Sequence, residues 1–473
     1  MSPRPLGGVG FSAYSKTPFL ASLDRGTAIA RDDLHPHVDM SQETELEKTP
    51  LLSPAAQVPH WVDPVTEDDL IARRRAIHRM PEAGWTEFIA TANAAAYFQS
   101  LGFTVKLGRE VIDPAFVRGR NAKEVAKSEK YAREHGVDPL WLARMGGITG
   151  MVATLDTGRP GKTMAIRVEL DALYMDEPDD MAHIPFREGF ASKRPGVMHA
   201  CGHDAHQAVA YELARFVVAN ADRLEGRIKF IFQPGEEGSR GAYPMVQSGC
   251  VDVKPGVIVA APEKFLCTTK VDFEFEGEPS HAGMQPQIGR NALLAAADAS
   301  LLLMALPRHS DGMTRVNVGT MHAGEGRNVV ASHAKLEVEV RGENEAINRD
   351  LMSAAVQRAK GSAMAFGVNC HYDIMGEAVD FVPDDAITQM ITVCARRARR
   401  CVSVLPTLPL NGSDDATLLI RRVQSHGGKA GYFLVGAGFD ASHEHASVDF
   451  QEDYLITLYD MYTNLIIGFS GKW

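Results

Sequence analysis

Arg227-Ile228-Lys229-Phe230-Ile231-Phe232-Gln233-Pro234-Gly235-Glu236-Glu237-Gly238 sets an apolar run directly before a Pro-Gly turn and two consecutive carboxylates. The run reads as a buried strand, and the turn ends it. A helical stretch, His206 to Asn220, precedes it, and two more apolar runs, Gly150 to Leu155 and Thr163 to Leu170, lie upstream. Strands alternating with helices imply an α/β fold built on a mixed, mainly parallel sheet. Ligands of such sheets collect at the carboxyl ends of the strands, where Glu169, Asp171 and the Glu236-Glu237 pair fall.

Downstream the pattern changes. From about 268 to 378 the order is strand (Lys270 to Glu276), helix (Gly289 to Leu306), strand (Arg315 to Met321), strand (Lys335 to Arg341), helix (Glu345 to Phe366) and strand (Asn369 to Ile374). This is the βαββαβ order of a ferredoxin-like unit. The αβ stretch after it, including Gly431 to Val435, has no sheet of its own, so the small unit reads as an insertion. The large domain then comprises 63–267 and 379–473, with 268–378 inserted. Residues 1–62 mix Pro, Ser, Gly and charge without a period and read as a disordered arm.

Composition bounds the function. The 473 residues are 45% hydrophobic and 23% charged, enough to bury a large core. With 49 Lys+Arg against 60 Asp+Glu the net charge is −11, and no dense basic run appears, which argues against a nucleic-acid partner. The longest apolar run, Ala292 to Leu306, is about 15 residues and is broken by Asp298, too short for a membrane span. The 6 Cys lack framework spacing and no signal peptide opens the chain, so a reducing, cytoplasmic setting is expected.

The residues with chemistry are few. In His199-Ala200-Cys201-Gly202-His203-Asp204-Ala205-His206, Cys201 and His203 flank a glycine and offer a thiolate and an imidazole to one metal ion. A buried thiol with capping neighbours is the competing reading. Glu236 and Glu237 point different ways as neighbours on one loop, so one can bind metal while the other acts as a base on water; a solvated acidic turn is the alternative. Asp171 suits orientation of a His ligand, or a helix N-cap. His443-Glu444-His445 supplies late candidates from the returning segment. His281, Asn328 and Arg341 stand on loops and strand ends of the small unit and suit recognition of a carboxylate or an oxyanion.

Together these stretches resemble the dinuclear-metal amidohydrolase and peptidase family that includes aminoacylases, auxin-conjugate hydrolases and glutamate carboxypeptidases. The resemblance runs from about Ile71 to Ile467. It is carried by His78-Arg79-Met80-Pro81-Glu82, the insertion Val111 to Gly147, Leu155 to Gly161, Met198 to His206, Gln233 to Gly238, and Arg315-Val316-Asn317-Val318-Gly319. It implies a hydrolase of a linear amide, an N-acyl or aminobenzoyl acidic amino acid such as p-aminobenzoyl-glutamate. Cys201, His203, Glu237, His443 and His445 are then the implied ligands of a divalent metal, Mn²⁺ or Zn²⁺, nominally two per chain. Glu236 is implied as general base, Asp171 as a residue supporting the site, and His281 as the histidine that steadies the oxyanion in a partner's site. Asn328 and Arg341 are implied to hold the substrate. The inserted unit is implied to pair two chains, as a homodimer or with a related subunit.

Two departures from the family pattern stand out. A strand ending in a ligand His has no counterpart between Cys250 and Pro255, where roughly a dozen residues are missing. At the late site Glu444 takes the register position, flanked by His443 and His445. Another N-acyl-amino-acid or dipeptide substrate, or a catalytically weak homologue with a regulatory or assembly role, stays open at this stage.

Overall fold

A computed structural model describes residues 61–250, 265–405, 412–437 and 449–471. All but the last two residues of the expected arm, the junction after Cys250, and His443 to His445 therefore lie outside the described residues. Trp61 packs on Phe216, and Val62 exchanges two hydrogen bonds with the buried Asn220 side chain, so the anchored chain starts at least this early.

The first sheet is built from β1 (Thr104–Leu107), β2 (Met151–Asp156), β3 (Thr163–Glu169) and β4 (Arg227–Gln233), in the order β1-β2-β4-β3. Only β3 and β4 run parallel; β1/β2 and β2/β4 are antiparallel. The expectation of a mainly parallel sheet is thus corrected among the described residues. The link from β2 to β3 explains it, because residues 157–162 are too few for the crossover that parallel strands require.

Around this sheet stand α1 (Glu67–His78), α2 (Phe88–Ser100), α3 (Ala122–Glu134), α4 (Pro139–Met145), α5 (Ile184–Arg187), α6 (His203–Ala219) and α7 (Ala242–Gln247). Helix α1 starts where Thr66 and Asp69 exchange side-chain-to-backbone hydrogen bonds in a capping box. Phe230 and Phe232 share one face of β4 by the two-residue period of a strand. They stack edge-on against Phe98 of α2 at 5.1 and 5.2 Å, and with Phe103 and Tyr211 they fix that helix on the sheet.

The second sheet has β5 (Cys267–Glu276), β6 (Thr314–Ala323), β7 (His333–Gly342) and β8 (Asn369–Ala378) in the order β6-β7-β5-β8, antiparallel throughout. Helices α8 (Ala292–Met304) and α9 (Glu345–Ala365) connect them. Their buried faces are largely alanine, from Ala292 to Ala299 and from Ala355 to Ala363, which lets the helices come close enough for the Ser362 hydroxyl to reach the Ala295 carbonyl at 2.7 Å. Buried Val271, Phe273 and Phe275 of β5 fill the space beneath.

After β8 the chain returns to the first sheet through α10 (Asp385–Ala395), α11 (Ala416–Ser425) and α12 (Leu455–Ser470). Asp415, just before α11, accepts from the Gln233 side chain and from the Gly241 and Ala242 amides. That locks the returning segment to the end of β4.

Candidate active site

Asp171, buried two residues past the end of β3, organises the site from below. Its two carboxylate oxygens accept from the backbone amides of Glu236 and Glu237, each at 3.0 Å. Its carbonyl oxygen lies 2.8 Å from Nδ1 of His203. A carbonyl only accepts, so Nδ1 carries the proton and Nε2 keeps its lone pair. Nε2 faces the acidic loop, 3.7 Å from Glu236 and 3.9 Å from Glu237. The carboxylate of Asp171 thus supports the loop, and its backbone orients the histidine.

Cys201 precedes α6 by one residue, Gly202, whose φ of 91° no side-chain-bearing residue adopts without strain. This left-handed turn brings Cys201 back beside His203. The sulfur, an imidazole nitrogen and a Glu237 oxygen lie within 4.8 Å of one another. Thiolate, imidazole and carboxylate converging on one point are a fitting donor set for a divalent transition metal. Glu236 also lies within 3.7 Å of His203 Nε2, but its carboxylate clusters with Asp414 and Asp415 rather than with Cys201. The two neighbouring carboxylates thus fall in different clusters.

Sequence reasoning misses Asp414 and Asp415, and Arg167 with them. Arg167 is buried on β3 and gathers Gln233, Glu169, Asp414 and Asp415 around one guanidinium, at 2.9 Å to Gln233 and Asp415. An arginine inside an otherwise apolar strand was the available signal. The two aspartates follow Gly412-Ser413 at a helix start, where acidic residues are commonplace, and so carried none.

These charges tune one another. Burial pushes the Glu236 carboxyl well above its usual range, and Asp414, Asp415 and Glu237 push it further against the pull of Arg167. Burial alone would lower His203, but Glu169, Glu237 and Asp171 outweigh it and raise its affinity for a proton. Behind the loop, Glu87 accepts from the Thr149 hydroxyl at 2.6 Å and the Gly235 amide at 2.8 Å; burial first and Asp171 second raise it to about 8. His206 pairs with Glu169 through Nδ1 at 2.6 Å.

The second sheet grips the acidic loop from the other side. Lys270 donates to the Glu237 carbonyl at 3.0 Å, and the Glu377 amide donates to the Ser239 carbonyl at 2.7 Å. Gly376 lies against this loop so closely that a Cβ there would sit 2.1 Å from the Gly238 oxygen. A cavity of about 1080 Å³ is lined largely by β3 and the returning segment, and is bordered by Cys201, His203, Glu236 and Glu237 and, from the second sheet, by Lys270 and Arg341. Arg341 is held there by both oxygens of Glu339.

His281 and Asn328 do not border this cavity. They stand together on neighbouring loops, joined by the Ala282 amide on the Asn328 carbonyl at 3.0 Å. The exposed His281 ring accepts from the Gly283 and Met284 amides through Nδ1, which leaves Nε2 outward.

Comparison with known proteins adds the following. Residues 165–467 match the model of peptidase family M20/M25/M40. The chain is 44% identical over 413 residues to a Haemophilus influenzae homolog of one p-aminobenzoyl-glutamate hydrolase subunit, covering 84% of this chain and 98% of that protein. It is 43% identical over 398 residues to the indole-3-acetyl-aspartic acid hydrolase of Enterobacter agglomerans, covering 81% and 91%. Among solved structures, the aminobenzoyl-glutamate utilization protein from Klebsiella pneumoniae matches with a TM-score of 0.68 at 38% identity, over 83% of this chain and 95% of that one. Among the described residues no helix is long and apolar enough to cross a membrane.

Proposed function

Because the chain belongs to peptidase family M20/M25/M40 and is a hydrolase, we propose that it cleaves the amide bond between an aromatic acyl group and an acidic amino acid, with p-aminobenzoyl-glutamate as the representative substrate. Both curated relatives carry names with an arylacyl group joined to glutamate or aspartate. The observation that carries the reading is the different company of the two carboxylates: Glu237 joins Cys201 and His203, while Glu236, also 3.7 Å from His203, clusters with Asp414 and Asp415.

Cys201, His203 and Glu237 would hold the first divalent ion, Mn²⁺ or Zn²⁺, and His443 or His445 would complete a nominal pair of ions. Such an ion supplies Lewis acidity toward the amide carbonyl and makes water at the site a stronger acid. Glu236 takes one proton from the attacking water and delivers it to the amide nitrogen. The water oxygen bonds to the carbonyl carbon as the C–N bond breaks, giving a carboxylic acid and a free amine. Asp171 keeps the Glu236 carboxyl aimed by holding the amides of its loop. Arg341 binds substrate within this chain, while Asn328 and His281, which stand together away from this chain's cavity, act on the site of a neighbouring chain, Asn328 holding substrate and His281 steadying the oxyanion.

We read the second sheet with α8 and α9 as an inserted ferredoxin-like domain that pairs two chains, as a homodimer or with a related subunit; the Haemophilus influenzae relative is itself named for one subunit of a hydrolase. No disulfide joins any of the six cysteines, which suits a cytoplasmic setting. Glu236→Gln tests the mechanism. It should cut release of 4-aminobenzoate from 4-aminobenzoyl-glutamate by at least about 10²-fold with metal content unchanged. Near-normal turnover removes Glu236 as the base, and loss of metal means that Glu236 and Glu237 have exchanged roles.

A further inference from the structure

Four Lys or Arg side chains of the described residues border the cavity, and three of them already hold a carboxylate partner within the chain. Arg167 is ringed by Glu169, Asp414 and Asp415. Arg341 is clasped by Glu339 at 2.9 Å, and Arg400 pairs with Glu67 and Asp453 at 2.7 and 2.9 Å. Lys270 differs. Its ammonium donates to a neutral carbonyl, that of Glu237 at 3.0 Å, and forms no ion pair among the described residues. Its register partner across the strands is Glu339, but that carboxylate is turned to Arg341.

The fold fixes this cation rather than leaving it to wander. Lys270 is half-buried near the start of β5, opposite Gly376, where β8 slips register between Lys270 and Val271. The Glu377 amide then ties that corner to Ser239 of the acidic loop. One of the three ammonium protons is used by the loop carbonyl, so two remain for a ligand. An N-acylated glutamate or aspartate carries two carboxylates, and one guanidinium accommodates only one of them.

We propose that Lys270 is a specificity-determining residue that takes the second carboxylate of the substrate, so that the site selects amides of dicarboxylic amino acids over monocarboxylic ones. The inference rests on the amidase reading above, in which Arg341 takes the first carboxylate. A charge-assisted pair on a half-buried lysine, lost when the carboxylate becomes an amide, corresponds to a preference of about ten- to a hundredfold.

The test is calorimetric binding of glutarate and of its monoamide to the Mn²⁺-loaded full chain, as wild type, Lys270→Met and Lys270→Arg. The wild type should prefer glutarate by about ten- to a hundredfold, Lys270→Met should bind both alike, and Lys270→Arg should recover most of the preference. In parallel, the KM ratio between 4-aminobenzoyl-glutamate and 4-aminobenzoyl-glutamine should collapse in Lys270→Met. An unchanged preference in Lys270→Met overturns the assignment, as does an equal loss for both ligands, which would make Lys270 only a brace for the Glu237 carbonyl. A Lys270-dependent preference for glutarate without turnover of either amide upholds Lys270 and refutes the amidase reading.

Discussion

Asp171→Asn isolates the support beneath the acidic loop. The aspartate accepts two backbone amides, one on each oxygen at 3.0 Å. Asparagine keeps the shape but offers one oxygen and one NH₂, so in either flip a loop N–H faces another N–H. One charge-assisted bond worth about 1.5–3 kcal/mol is lost, and the amide left without a partner in a buried site costs about 1–3 kcal/mol more, part of it recovered as the loop relaxes. A net destabilisation of roughly 2–4 kcal/mol is expected. The backbone carbonyl that orients His203 is untouched, so that ligand should stay in place. The loss should fall on Glu236, whose loop is freed by a fraction of an ångström to about 1 Å, a displacement that costs about 10²-fold in rate. The assay is steady-state release of 4-aminobenzoate, alongside metal content and a urea midpoint. A fall in kcat of about a hundredfold with nearly unchanged KM and retained metal is expected. Wild-type kcat in this variant would refute the claim that the Asp171 carboxylate aims the base.

Arg341→Ala should raise KM about ten- to a hundredfold for substrates with a free carboxylate on the released amino acid, and little for the matching amides; equal effects on both would remove it from the carboxylate site. Glu87→Gln should flatten the dependence of stability on pH. The folded Glu87 carboxyl keeps its proton up to about 8, whereas the unfolded one releases it near 4.5, so the stability present below 4.5 is lost as pH rises through about 8. Chemical denaturation at pH 5.5 and 8.5 should show the gap between them narrowing by at least about 1 kcal/mol in the variant, and an unchanged gap counts against a protonated Glu87. Dialysed protein should keep about one tight equivalent of Mn²⁺ or Zn²⁺, because Asp414 and Asp415 of the second acidic group are already paired with Arg167; two tight equivalents by elemental analysis would contradict this.

The sequence was most legible where covalent neighbours did the work. The strand before Pro234-Gly235, the glycine between Cys201 and His203, and the order of elements from β5 to β8 all depend on local pattern, and the structure shows them in those places. Strand direction in the first sheet was not local. It follows from the short β2-to-β3 link acting on a neighbour, β4, that arrives about sixty residues later. The pairing of Arg167 with Asp414 and Asp415 spans 247 and 248 positions, and neither partner announces the other. The companionship of His281 and Asn328 away from the cavity was equally invisible, since both stood on plausible loops and only packing decides which loops meet.

Gly376 illustrates how far the demands of the site extend into unrelated parts of the chain. It belongs to the outer strand of the other sheet and offers no side chain to any substrate, yet even a methyl group there would displace the backbone that carries both carboxylates. In a saturation library, this position should score with the reacting residues rather than with its neighbours on β8. Its substitutions should also be epistatic with changes at Gly238 and Ser239, because each would spend the same clearance. A residue can thus be irreplaceable for what it leaves empty.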